Sequence, residues 1–466
     1  MMSSTTINSN NTITLMGSGL AGSVLALLLG KKGFNVRVHE KRSLEVNPAQ
    51  RARSINLALS DRGIKTLRET GHLADILEIA IPMKGRMIHS IEGNQTFQPY
   101  SSDSKKHLYS VSRQLLNEKL GEHASKLDNV EILYNQTCKS ININQGTYDI
   151  LDKDGQSTTY STSTIIGCDG AFSAVRNSMV KLDRQNYSQS YLEHGYKELC
   201  IPPGENGAFL LDKNSLHIWP RGSFMMIALP NIDGSFTCTL FFPFDGELSF
   251  KSLDSKEKVH QFFTQYFADA YKLMPTLLDD YFSNPTSSLV TVKTSPWNYQ
   301  GKCTLVGDAA HAIVPFYGQG MNAAFEDVLE LVNCFDKAFP KGGQSSQLSN
   351  ETLWECYNAY QNARKANSDA IAEMAIENFI EMRDSVSDPM FLFKKKVEHL
   401  LEQTYPNRFV SRYELISYST EPYAYAQKIG LLNQQILNQL VKDANFDISK
   451  IDLALADKLI TQVLNK

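Results

Sequence analysis

The feature that most constrains the fold of this chain is a glycine-rich turn near its start, in the stretch "TITLMGSGLAGSVLALLLGKKGFNVRVHEKR". β-Branched and apolar residues at 12–16 predict a short strand, and small aliphatic residues up to about residue 32 predict a helix. A second strand is predicted at 35–39 and ends on Glu40. Glycines spaced as GxGxxG are a weak signal alone, but between a strand and a helix they predict a dinucleotide-binding βαβ unit.

Each glycine of the motif has its own physical role. Gly17 permits the tight turn, Gly19 lets the backbone approach a pyrophosphate, and Gly22 lets the helix and the strand pack closely. The helix N-terminus then offers unpaired N–H groups and the positive end of its dipole to phosphate. Glu40 would accept hydrogen bonds from ribose hydroxyls and repel a 2′-phosphate, which favours FAD or NAD over NADP as the tightly held nucleotide.

The rest of the chain favours a flavin over NAD as the group held there. An NAD dehydrogenase would continue with further βα units, whereas four other segments follow here. They are "RARSINLALSDRGIKTLRETG" at 51–71, "YSVSRQLLNEKL" at 109–120, "IIGCDGAFSAVR" at 165–176 and "LVGDAAHAIVPFYGQGMNAAFEDV" at 305–328. No second GxGxxG follows residue 22, which disfavours a disulfide-reductase-type flavoprotein with a permanent second dinucleotide domain.

This ordered set of segments resembles the class A, single-component FAD monooxygenases, which are flavoprotein aromatic hydroxylases. The resemblance implies that the glycine turn holds the ADP part of FAD, that Asp169 lies near FAD and NADPH, and that Asp308 contacts the ribityl chain. It also implies that Gly318 and Gly320 leave room for the isoalloxazine ring. The candidate cofactor-binding residues are Gly17, Gly19, Leu20, Ala21, Gly22, Glu40, Arg42, Arg53, Arg113, Asp169, Asp308, Gly320, Met321 and Asn322.

Within that group, longer strings resemble the kynurenine 3-monooxygenase family from about residue 13 to about residue 418. They include "IPMKGRMIH", "LYSVSR", "LHIWPRGSFMMIALPN" and "NFIEMRD". The resemblance implies tightly but non-covalently bound FAD, with NADPH as a transient co-substrate and O2 as oxidant. It implies hydroxylation of L-kynurenine to 3-hydroxy-L-kynurenine through a flavin C4a-hydroperoxide, a step of tryptophan catabolism on the kynurenine pathway toward quinolinate and NAD.

The chemistry of that substrate indicates which side chains would bind it. A carboxylate suits the fork-shaped guanidinium of arginine, and the resemblance assigns Arg86 to the α-carboxylate. By the same resemblance Tyr100, Asn378 and Tyr413 complete the contacts, and Phe316 would wall the aromatic ring against the flavin. Each has an ordinary alternative, such as a surface ion pair for Arg86, a solvated helix position for Asn378 and core packing for Phe316. We assign no general acid or base, because the aniline nitrogen already enriches the ring carbon that is attacked. We also assign no metal ligand.

The expected architecture is α/β, with a Rossmann-like FAD-binding domain, an inserted β-sheet substrate domain and a C-terminal helical region. The stretch at 216–244 predicts three strands, and "PKGGQSSQLSN" at 340–350 is the clearest linker. The predicted parts are a disordered leader at 1–11, a first FAD-binding part at 12–190 that includes a substrate-site segment at about 82–105, a sheet domain at 191–290, a second FAD-binding part at 291–345, and a helical region at 346–466.

Composition limits the partners and the compartment. The formal net charge of −4 gives no electrostatic case for nucleic acid. Seven scattered cysteines without a CxxC pair or a secretory signal predict reduced thiols and a cytoplasmic location. The best candidate for a membrane span, at 429–441, is shorter than the roughly 20 apolar residues that a span needs, so no membrane anchor is expected. Peripheral attachment to the mitochondrial outer membrane and a homodimer remain open alternatives.

Two other functions also remain open on the sequence. One is a related flavin hydroxylase that acts on another aromatic acid. The other is a non-catalytic protein on the same fold, similar to Rab escort or GDP-dissociation-inhibitor proteins. Such proteins keep the GxGxxG turn, but they have no need for the segment at 305–328, which makes this alternative the weaker one.

Overall fold

The structure is a computed structural model that describes residues 6–44, 56–101, 103–381, 388–406, 408–442 and 444–464. The candidate residue Arg53 lies outside these described residues. The chain divides into two compact units. The first unit contains the described residues of 1–80, 111–192 and 289–372, and the second unit contains those of 81–110, 193–288 and 373–466.

The strands are numbered here in chain order. They are β1 Thr6–Met16, β2 Asn35–His39, β3 Asn56–Leu59, β4 Ala80–Met83, β5 Gly85–His89, β6 Gln95–Pro99, β7 Leu108–Ser112, β8 Val130–Leu133, β9 Thr137–Asn142, β10 Thr147–Leu151, β11 Ser157–Gly167, β12 Asn186–Ile201, β13 Ser215–Arg221, β14 Phe224–Pro230, β15 Phe236–Pro243, β16 Ser287–Ser295, β17 Asn298–Tyr299 and β18 Cys303–Leu305.

The α-helices are numbered in the same way. They are α1 Leu20–Lys31, α2 Asp61–Glu69, α3 Leu73–Leu77, α4 Arg113–Ser125, α5 Ala174–Met179, α6 Lys256–Tyr266, α7 Ala268–Tyr271, α8 Leu277–Ser283, α9 Asp308–His311, α10 Gly320–Ala338, α11 Asn350–Ile380, α12 Pro389–Thr404, α13 Arg412–Ser417, α14 Tyr423–Leu440 and α15 Leu453–Leu464. Short 3-10 turns lie at Glu205–Gly207, Pro315–Tyr317, Gly343–Ser345 and Ile448–Lys450.

The first unit is built on a mostly parallel sheet with the strand order β17-β18-β11-β1-β2-β8. The pairs β18–β11, β11–β1, β1–β2 and β2–β8 are parallel, and β17 is antiparallel to β18. The predicted strand–helix–strand unit is confirmed as β1, α1 and β2. Helix α1 is buried from residue 22 to residue 30, as expected of the crossover helix of a parallel sheet.

The second unit contains a sheet in which β12, β15, β14, β13, β5 and β6 are neighbours in that order. Strands β13, β14 and β15 confirm the three strands predicted at 216–244. The pairs are antiparallel except for β13 with β5, which is parallel. The buried side of this sheet packs on α6, α7 and α8, and the core includes Trp219, Phe236, Phe242, Phe263, Phe267 and Met274.

The C-terminal helices of the second unit enclose a separate apolar core. Helix α14 contains most of the 429–441 stretch considered above as a membrane span, and its apolar side faces this core. The core residues include Phe393, Val397, Leu401, Ile436, Leu437, Leu440, Leu459 and Ile460. Within the part of the chain that the structure describes, no helix combines the length and the apolarity that crossing a bilayer requires.

Two boundaries differ from the expectation. The backbone at 6–9 pairs with 159–162 of β11, so the predicted disordered leader is wrong for residues 6–11. The substrate-site segment at 82–105 groups with the second unit, because β5 and β6 join the sheet of β13. A sequence pattern can predict whether a stretch forms a strand, but it does not predict which other strand that stretch pairs with.

Candidate active site

Four of the predicted nucleotide-binding segments begin where strands of the first-unit sheet end. Met16 of β1 is in register with His39 of β2 and with Gly167 of β11. Gly167 is in turn in register with Leu305 of β18. The segments that follow these strand ends therefore leave the sheet at one carboxyl edge, which is where open α/β sheets bind nucleotides. They contain Gly17, Glu40, Asp169 and Asp308.

The glycine turn brings backbone close to backbone and leaves one side open. Gly17 has a φ of +96°, and a Cβ added at Gly22 would lie 2.0 Å from the Gly17 carbonyl oxygen. Helix α1 can therefore pack this closely only with glycine at that position. A Cβ added at Gly19 would meet nothing within 4 Å. The first N–H groups of α1, which include those of Leu20 and Ala21, have no side-chain cap, so this end of the helix fits a pyrophosphate.

Glu40 is buried at the end of β2, with 4% of its surface exposed. Its Oε2 accepts a hydrogen bond from the Ser18 N–H at 2.8 Å, and its Oε1 accepts from the backbone and the Nε of Arg42, each at 2.9 Å. Burial favours a raised pKa for Glu40, but the bonds from Arg42 and Ser18 outweigh it, so the pKa lies below its ordinary value. The Arg42 side chain, 57% exposed, thus fills hydrogen-bonding positions that were predicted for ribose.

Asp169 follows β11 and starts the turn into α5. Its Oδ2 accepts from the backbone N–H groups of Ala174 and Val175, at 2.6 and 3.4 Å. Burial raises the pKa of Asp169, and the hydrogen bonds offset this only in part. Its Oδ1 is buried and accepts no hydrogen bond of standard geometry from the described residues. A buried acceptor without a donor is costly for the protein alone, so this oxygen fits a donor on a bound group.

Arg176 ties the segment after β11 to the segment after β18, a role that the sequence did not suggest. Its side chain is 1% exposed. The guanidinium donates to the carbonyl of Ala309 at 2.9 Å and to the carbonyl of Ala171 at 2.5 Å. The turn that carries Asp169 and the helix that begins with Asp308 are therefore held at a fixed spacing.

The Gly307–Asp308 turn is held from behind by Asp327 of α10. Gly307 has a φ of +61°, and its N–H donates to Asp327 Oδ2 at 3.3 Å. His311 donates its Nε2–H to the same oxygen, and Arg364 donates to Oδ1 at 2.7 Å. Burial favours a raised pKa for Asp327, but His311 and Arg364 hold it below its ordinary value. His311 is a structural donor here, and Asp308 is left exposed at the carboxyl edge.

Two more ion pairs extend this buried network. Arg364 Nη1 lies 3.2 Å from Glu326 Oε2, and Arg62 Nη1 lies 2.7 Å from Glu326 Oε1. Removing one partner of such a pair would leave an uncompensated charge in the interior. The network therefore fixes α2, α10 and α11 in one arrangement behind the turn. The sequence stretch "AFED" contains both acids, but nothing in it indicates their partners.

Asn322, a predicted cofactor-binding residue, uses its side chain on the protein backbone instead. Its Oδ1 accepts from the Ser60 N–H at 3.0 Å, and its Nδ2 donates to the carbonyls of Ala58 at 2.9 Å and Gly318 at 3.0 Å. Both amide hydrogens are therefore taken. Asn322 thus positions the Gly318 turn and the start of α10 rather than presenting its amide hydrogens to a ligand.

The other candidates of the first unit lie at the ends of elements. Gly320 and Met321 begin α10, and Arg113 begins α4 as an exposed residue. Phe316 lies on the 3-10 turn Pro315–Tyr317 and is 9% exposed. This burial agrees with the core-packing alternative and is equally compatible with a wall beside a bound ring.

In the second unit, two of the predicted substrate-binding side chains, Tyr100 and Tyr413, lie beside Arg86. Arg86 lies on β5, and β5 pairs with β6 so that Gly85 opposes Pro99. Tyr100 follows β6 directly, and its N–H donates to the Lys84 carbonyl at 3.1 Å. The Cζ of Arg86 then lies 5.6 Å from the centroid of the Tyr100 ring. The hairpin thus places the predicted cation beside the predicted phenol.

Tyr413 joins this cluster from α13. The centroid of its ring lies 5.1 Å from the Cζ of Arg86. The same centroid lies 5.9 Å from the centroid of the Tyr100 ring, and the two rings are 21° from parallel. Two aromatic rings near one guanidinium stabilise its positive charge without neutralising it. Burial raises the pKa of Tyr100, so its phenol keeps the proton that it would donate.

Asn378 is half-buried near the end of α11. Helix α13 begins with Arg412, whose Nη1 donates to the Glu377 carboxylate at 2.7 Å. This ion pair joins the helix that carries Asn378 to the helix that carries Tyr413. The predicted substrate residues of this unit therefore lie on the β5–β6 hairpin and on two adjoining helices.

Three neighbours of this cluster were not singled out from the sequence. Lys106 forms an ion pair with Glu414 of α13, and its Nζ lies 5.9 Å from the ring centroid of Tyr418. Tyr418 packs edge-on against Tyr413 at 6.4 Å, and its buried hydroxyl has no hydrogen-bond partner among the described residues. The signal was available in "SRYEL", where Glu414 follows Tyr413 directly.

A buried histidine pair fixes the far end of β5. His89 Nδ1 lies 2.7 Å from the Asp269 carboxylate, and His89 Nε2 lies 2.9 Å from His217 Nδ1. His217 Nε2 must donate to the Asp212 carbonyl at 2.9 Å, because a carbonyl only accepts. Burial lowers the pKa of His217 to about 4, so it is neutral and accepts from His89. The other ring nitrogen of His89, Nδ1, faces Asp269.

One group of side chains in the described ranges has the composition of a metal site. His72, Asp75 and His123 each place one ligand atom within 4.8 Å of the others. The two imidazole rings are stacked, with centroids 3.6 Å apart and planes 15° from parallel. Their nitrogen lone pairs therefore lie in nearly parallel planes and do not converge on one ion, so the arrangement is that of a stacked pair beside a carboxylate.

Comparison with known families identifies an FAD-binding domain in this chain. A family model described as an FAD binding domain matches residues 11–194 and 289–350. A kynurenine 3-monooxygenase of Dictyostelium discoideum is 70% identical over 98% of this chain and 99% of its own length. Another of Myxococcus xanthus is 44% identical over 92% of this chain and 90% of its own length. One of Anopheles gambiae is 42% identical over 93% and 87%.

Solved structures show the fold at lower identity. A 2-methyl-3-hydroxypyridine-5-carboxylic acid oxygenase has a TM-score of 0.62 at 19% identity, over 82% of this chain and 95% of its own. A p-nitrophenol 4-monooxygenase of Pseudomonas putida has a TM-score of 0.64 at 18% identity, over 94% and 98%. Together with the curated relatives and the FAD-binding match, these findings place the chain: it belongs to the kynurenine 3-monooxygenase family of FAD-dependent monooxygenases.

Proposed function

We propose that this enzyme hydroxylates L-kynurenine at ring carbon 3, with NADPH as the reductant and O2 as the oxidant. The relatives named kynurenine 3-monooxygenase support the reaction, including one at 70% identity. The single observation in the structure that carries the proposal is the cluster of Arg86, Tyr100 and Tyr413. A guanidinium framed by two phenols suits the carboxylate of an aromatic amino acid.

FAD fits the carboxyl edge of the first-unit sheet. The open start of α1 at Gly19 suits the pyrophosphate, and Glu40 suits the adenosine ribose once the exposed Arg42 side chain turns toward solvent. The exposed carboxylate of Asp308 suits the ribityl hydroxyls. The N–H groups at the start of α10 suit the pyrimidine edge of the flavin ring. When bound, FAD supplies the electron transfer and oxygen activation that no side chain provides.

In this proposal residues of the second unit bind the amino-acid end of the substrate. Arg86 binds the α-carboxylate with two parallel hydrogen bonds, and Tyr100 donates its phenol proton to the same group. Tyr413 and Asn378 complete the contacts. Fixing the α-carboxylate also fixes the position of the aniline ring, because a short chain joins the two. Such positioning is the protein's main contribution, together with the exclusion of water.

The reaction balances without a catalytic base. Each kynurenine consumes one NADPH, one proton and one O2, and it yields NADP⁺, water and the 3-hydroxy product. Ring carbon 3 is ortho to the aniline nitrogen, whose lone pair enriches it. The chain therefore needs no acid or base aimed at that carbon, in line with the absence of any such assignment from the sequence.

A substrate panel tests this proposal. The purified FAD enzyme would receive NADPH and L-kynurenine, anthranilate, 4-hydroxybenzoate or L-tryptophan, and hydroxylated product would be compared with H2O2. We expect hydroxylated product from L-kynurenine, with little H2O2, and mainly H2O2 or slow NADPH use with the others. Faster coupled hydroxylation of another aromatic acid would overturn the assignment of substrate.

A further inference from the structure

We propose that Glu414 and Tyr418 form an ammonium-binding subsite next to Arg86, so that the enzyme selects a zwitterionic α-amino acid over a simple aromatic acid. The inference rests on the proposed function and adds the part of substrate recognition that the predicted residues leave out. Arg86, Tyr100, Asn378 and Tyr413 offer a cation and neutral groups, whereas an α-ammonium group needs an anion.

Glu414 is an acidic residue that adjoins the cluster through α13. It follows Tyr413 in α13, and its side chain is 17% exposed. Its Oε1 accepts a hydrogen bond from the ammonium group of Lys106. The carboxylate therefore already binds a primary ammonium group, the same kind of group that an α-amino acid carries. Among the described residues no donor is bonded to its Oε2. One carboxylate oxygen is thus left for a second ammonium group, and Lys106, 37% exposed, is free to turn toward solvent.

Tyr418 supplies an independent sign of a missing ligand. The residue is 7% exposed, and its hydroxyl is buried without a hydrogen-bond partner among the described residues. A buried phenol usually finds a partner because an unpaired hydroxyl costs free energy. Its backbone is well anchored, since its N–H donates to the Glu414 carbonyl at 2.9 Å. The unpaired hydroxyl is therefore a fixed feature that a polar group of a bound molecule would satisfy.

The position of Tyr418 relates the two charges of the site to each other. Its ring packs edge-on against Tyr413 at 6.4 Å, and Tyr413 lies 5.1 Å from the Arg86 Cζ. Burial raises the pKa of Tyr418, Tyr413 and Glu414 add to this, and Arg86 opposes it, so the phenol lies within electrostatic range of both charges. An α-amino acid carries its carboxylate and its ammonium group on one carbon, so it needs a cation and an anion in the same neighbourhood. Arg86 beside the Tyr413 ring and Glu414 directly after Tyr413 in α13 offer such a pair.

The test compares L-kynurenine with its des-amino analogue, 4-(2-aminophenyl)-4-oxobutanoic acid. The holoenzyme and its Glu414→Gln and Tyr418→Phe variants would be compared by KM and kcat for both compounds, and by equilibrium binding followed through flavin absorbance. We expect Glu414→Gln to raise KM for kynurenine about 10-fold or more, the effect of losing a hydrogen bond to a charged group. The analogue should bind the variant as well as the wild type, or better, because a negative charge near its carboxylate has been removed.

Tyr418→Phe removes only the hydroxyl and should raise KM for kynurenine by about 3-fold to 10-fold with little change in kcat. Tyr281→Phe is the matched control, since Tyr281 also has a buried, unpartnered hydroxyl and is 4% exposed. Glu122→Gln is the control for Glu414→Gln, because Glu122 is bonded to Lys126 at 2.7 Å in an exposed pair. Neither control should change the ratio of kynurenine to analogue.

Three results separate the outcomes. The subsite is supported if Glu414→Gln no longer discriminates between kynurenine and the analogue while it keeps the FAD content and the melting temperature of the wild type. Equal weakening of both compounds, or no change in either, overturns it and leaves Lys106–Glu414 a structural ion pair. The wild type is assayed first. If it makes no hydroxylated product from kynurenine, the proposed function is wrong, whatever the variants do.

Discussion

Arg86 lies beside the rings of two other predicted substrate-binding residues. The ring centroids of Tyr413 and Tyr100 lie 5.1 and 5.6 Å from its guanidinium carbon. Aromatic rings near a guanidinium stabilise its positive charge, and the fork of an arginine suits a carboxylate. This setting is the reason to assign substrate binding to Arg86. Arg408 of the same unit lies elsewhere, in an exposed pair with Asp457 at 2.7 Å.

Replacing Arg86 by Met should therefore weaken kynurenine binding without affecting FAD. Loss of a charge-assisted contact is worth about 1.5–3 kcal/mol, so KM should rise about 10-fold to 100-fold. Steady-state kinetics and the ratio of flavin to protein absorbance would measure this, with Arg408→Met as the control. Unchanged saturation by kynurenine would rule out the role of Arg86.

At the scale of residues, local requirements were predictable and tertiary partners were not. The roles of Gly17, Gly19 and Gly22 could be predicted, because each role depends on the backbone conformation or the free space at that position. Asn322 was assigned to the cofactor, and the structure shows that its side chain donates to the backbone carbonyls of Ala58 and Gly318. The sequence cannot show this, because its partner at Ala58 is more than two hundred residues away.

Among the elements, α1 provides the sharpest contrast between two glycines. A Cβ at Gly19 would meet nothing within 4 Å, whereas a Cβ at Gly22 would lie 2.0 Å from a carbonyl oxygen. We expect Gly19→Ala to leave the thermal unfolding of the apoprotein nearly unchanged but to weaken FAD binding, since the methyl group would occupy space needed by the pyrophosphate. Gly22→Ala should destabilise the apoprotein by about 1–3 kcal/mol. FAD titration and thermal melting would measure both, and wild-type FAD affinity in Gly19→Ala would contradict the placement of the pyrophosphate.

Helix α10 makes a pH-dependent contribution to stability through Asp327. The folded pKa of Asp327 lies below its unfolded value, which is about 3.9 for aspartate. Its stabilising effect is therefore fully present above that value and is lost as the pH falls through the folded pKa. Asp327→Asn should lower the free energy of unfolding by about 3 kcal/mol at neutral pH, and it should reduce the loss of stability seen on acidification below about pH 4.

Denaturant unfolding at several pH values would test this. Asp336→Asn is the control, because Asp336 is 47% exposed in a surface pair with Lys32 and should change stability by about 1 kcal/mol or less. An acid dependence in Asp327→Asn as steep as that of the wild type would contradict the account of the network.

Element types were largely predictable, whereas strand partners were less so. The βαβ unit and the three strands at 216–244 follow from periodicity. The pairing of residues 6–9 with β11 and of β5 with β13 does not, because a strand pattern is satisfied by any partner that offers a free edge. The grouping of residues 82–105 therefore had to come from the structure.

For the whole molecule, the proposed reaction requires that events at FAD depend on what is bound at Arg86. Reduced flavin without substrate would pass its electrons to O2 and waste NADPH. We therefore expect anaerobic flavin reduction by NADPH to be markedly faster with L-kynurenine present, and this acceleration should be lost in Arg86→Met at the same kynurenine concentration. Stopped-flow absorbance would measure it, and equal reduction rates with and without kynurenine would argue against such control.

The most direct test of the central claim is the fate of isotopic oxygen. The purified FAD enzyme would be given NADPH and L-kynurenine under ¹⁸O2, and the product would be examined by mass spectrometry and NMR. The account predicts 3-hydroxy-L-kynurenine with one ¹⁸O atom at ring carbon 3 and close to one NADPH consumed per product. NADPH oxidation that yields only H2O2, or a product without ¹⁸O at that carbon, would contradict it.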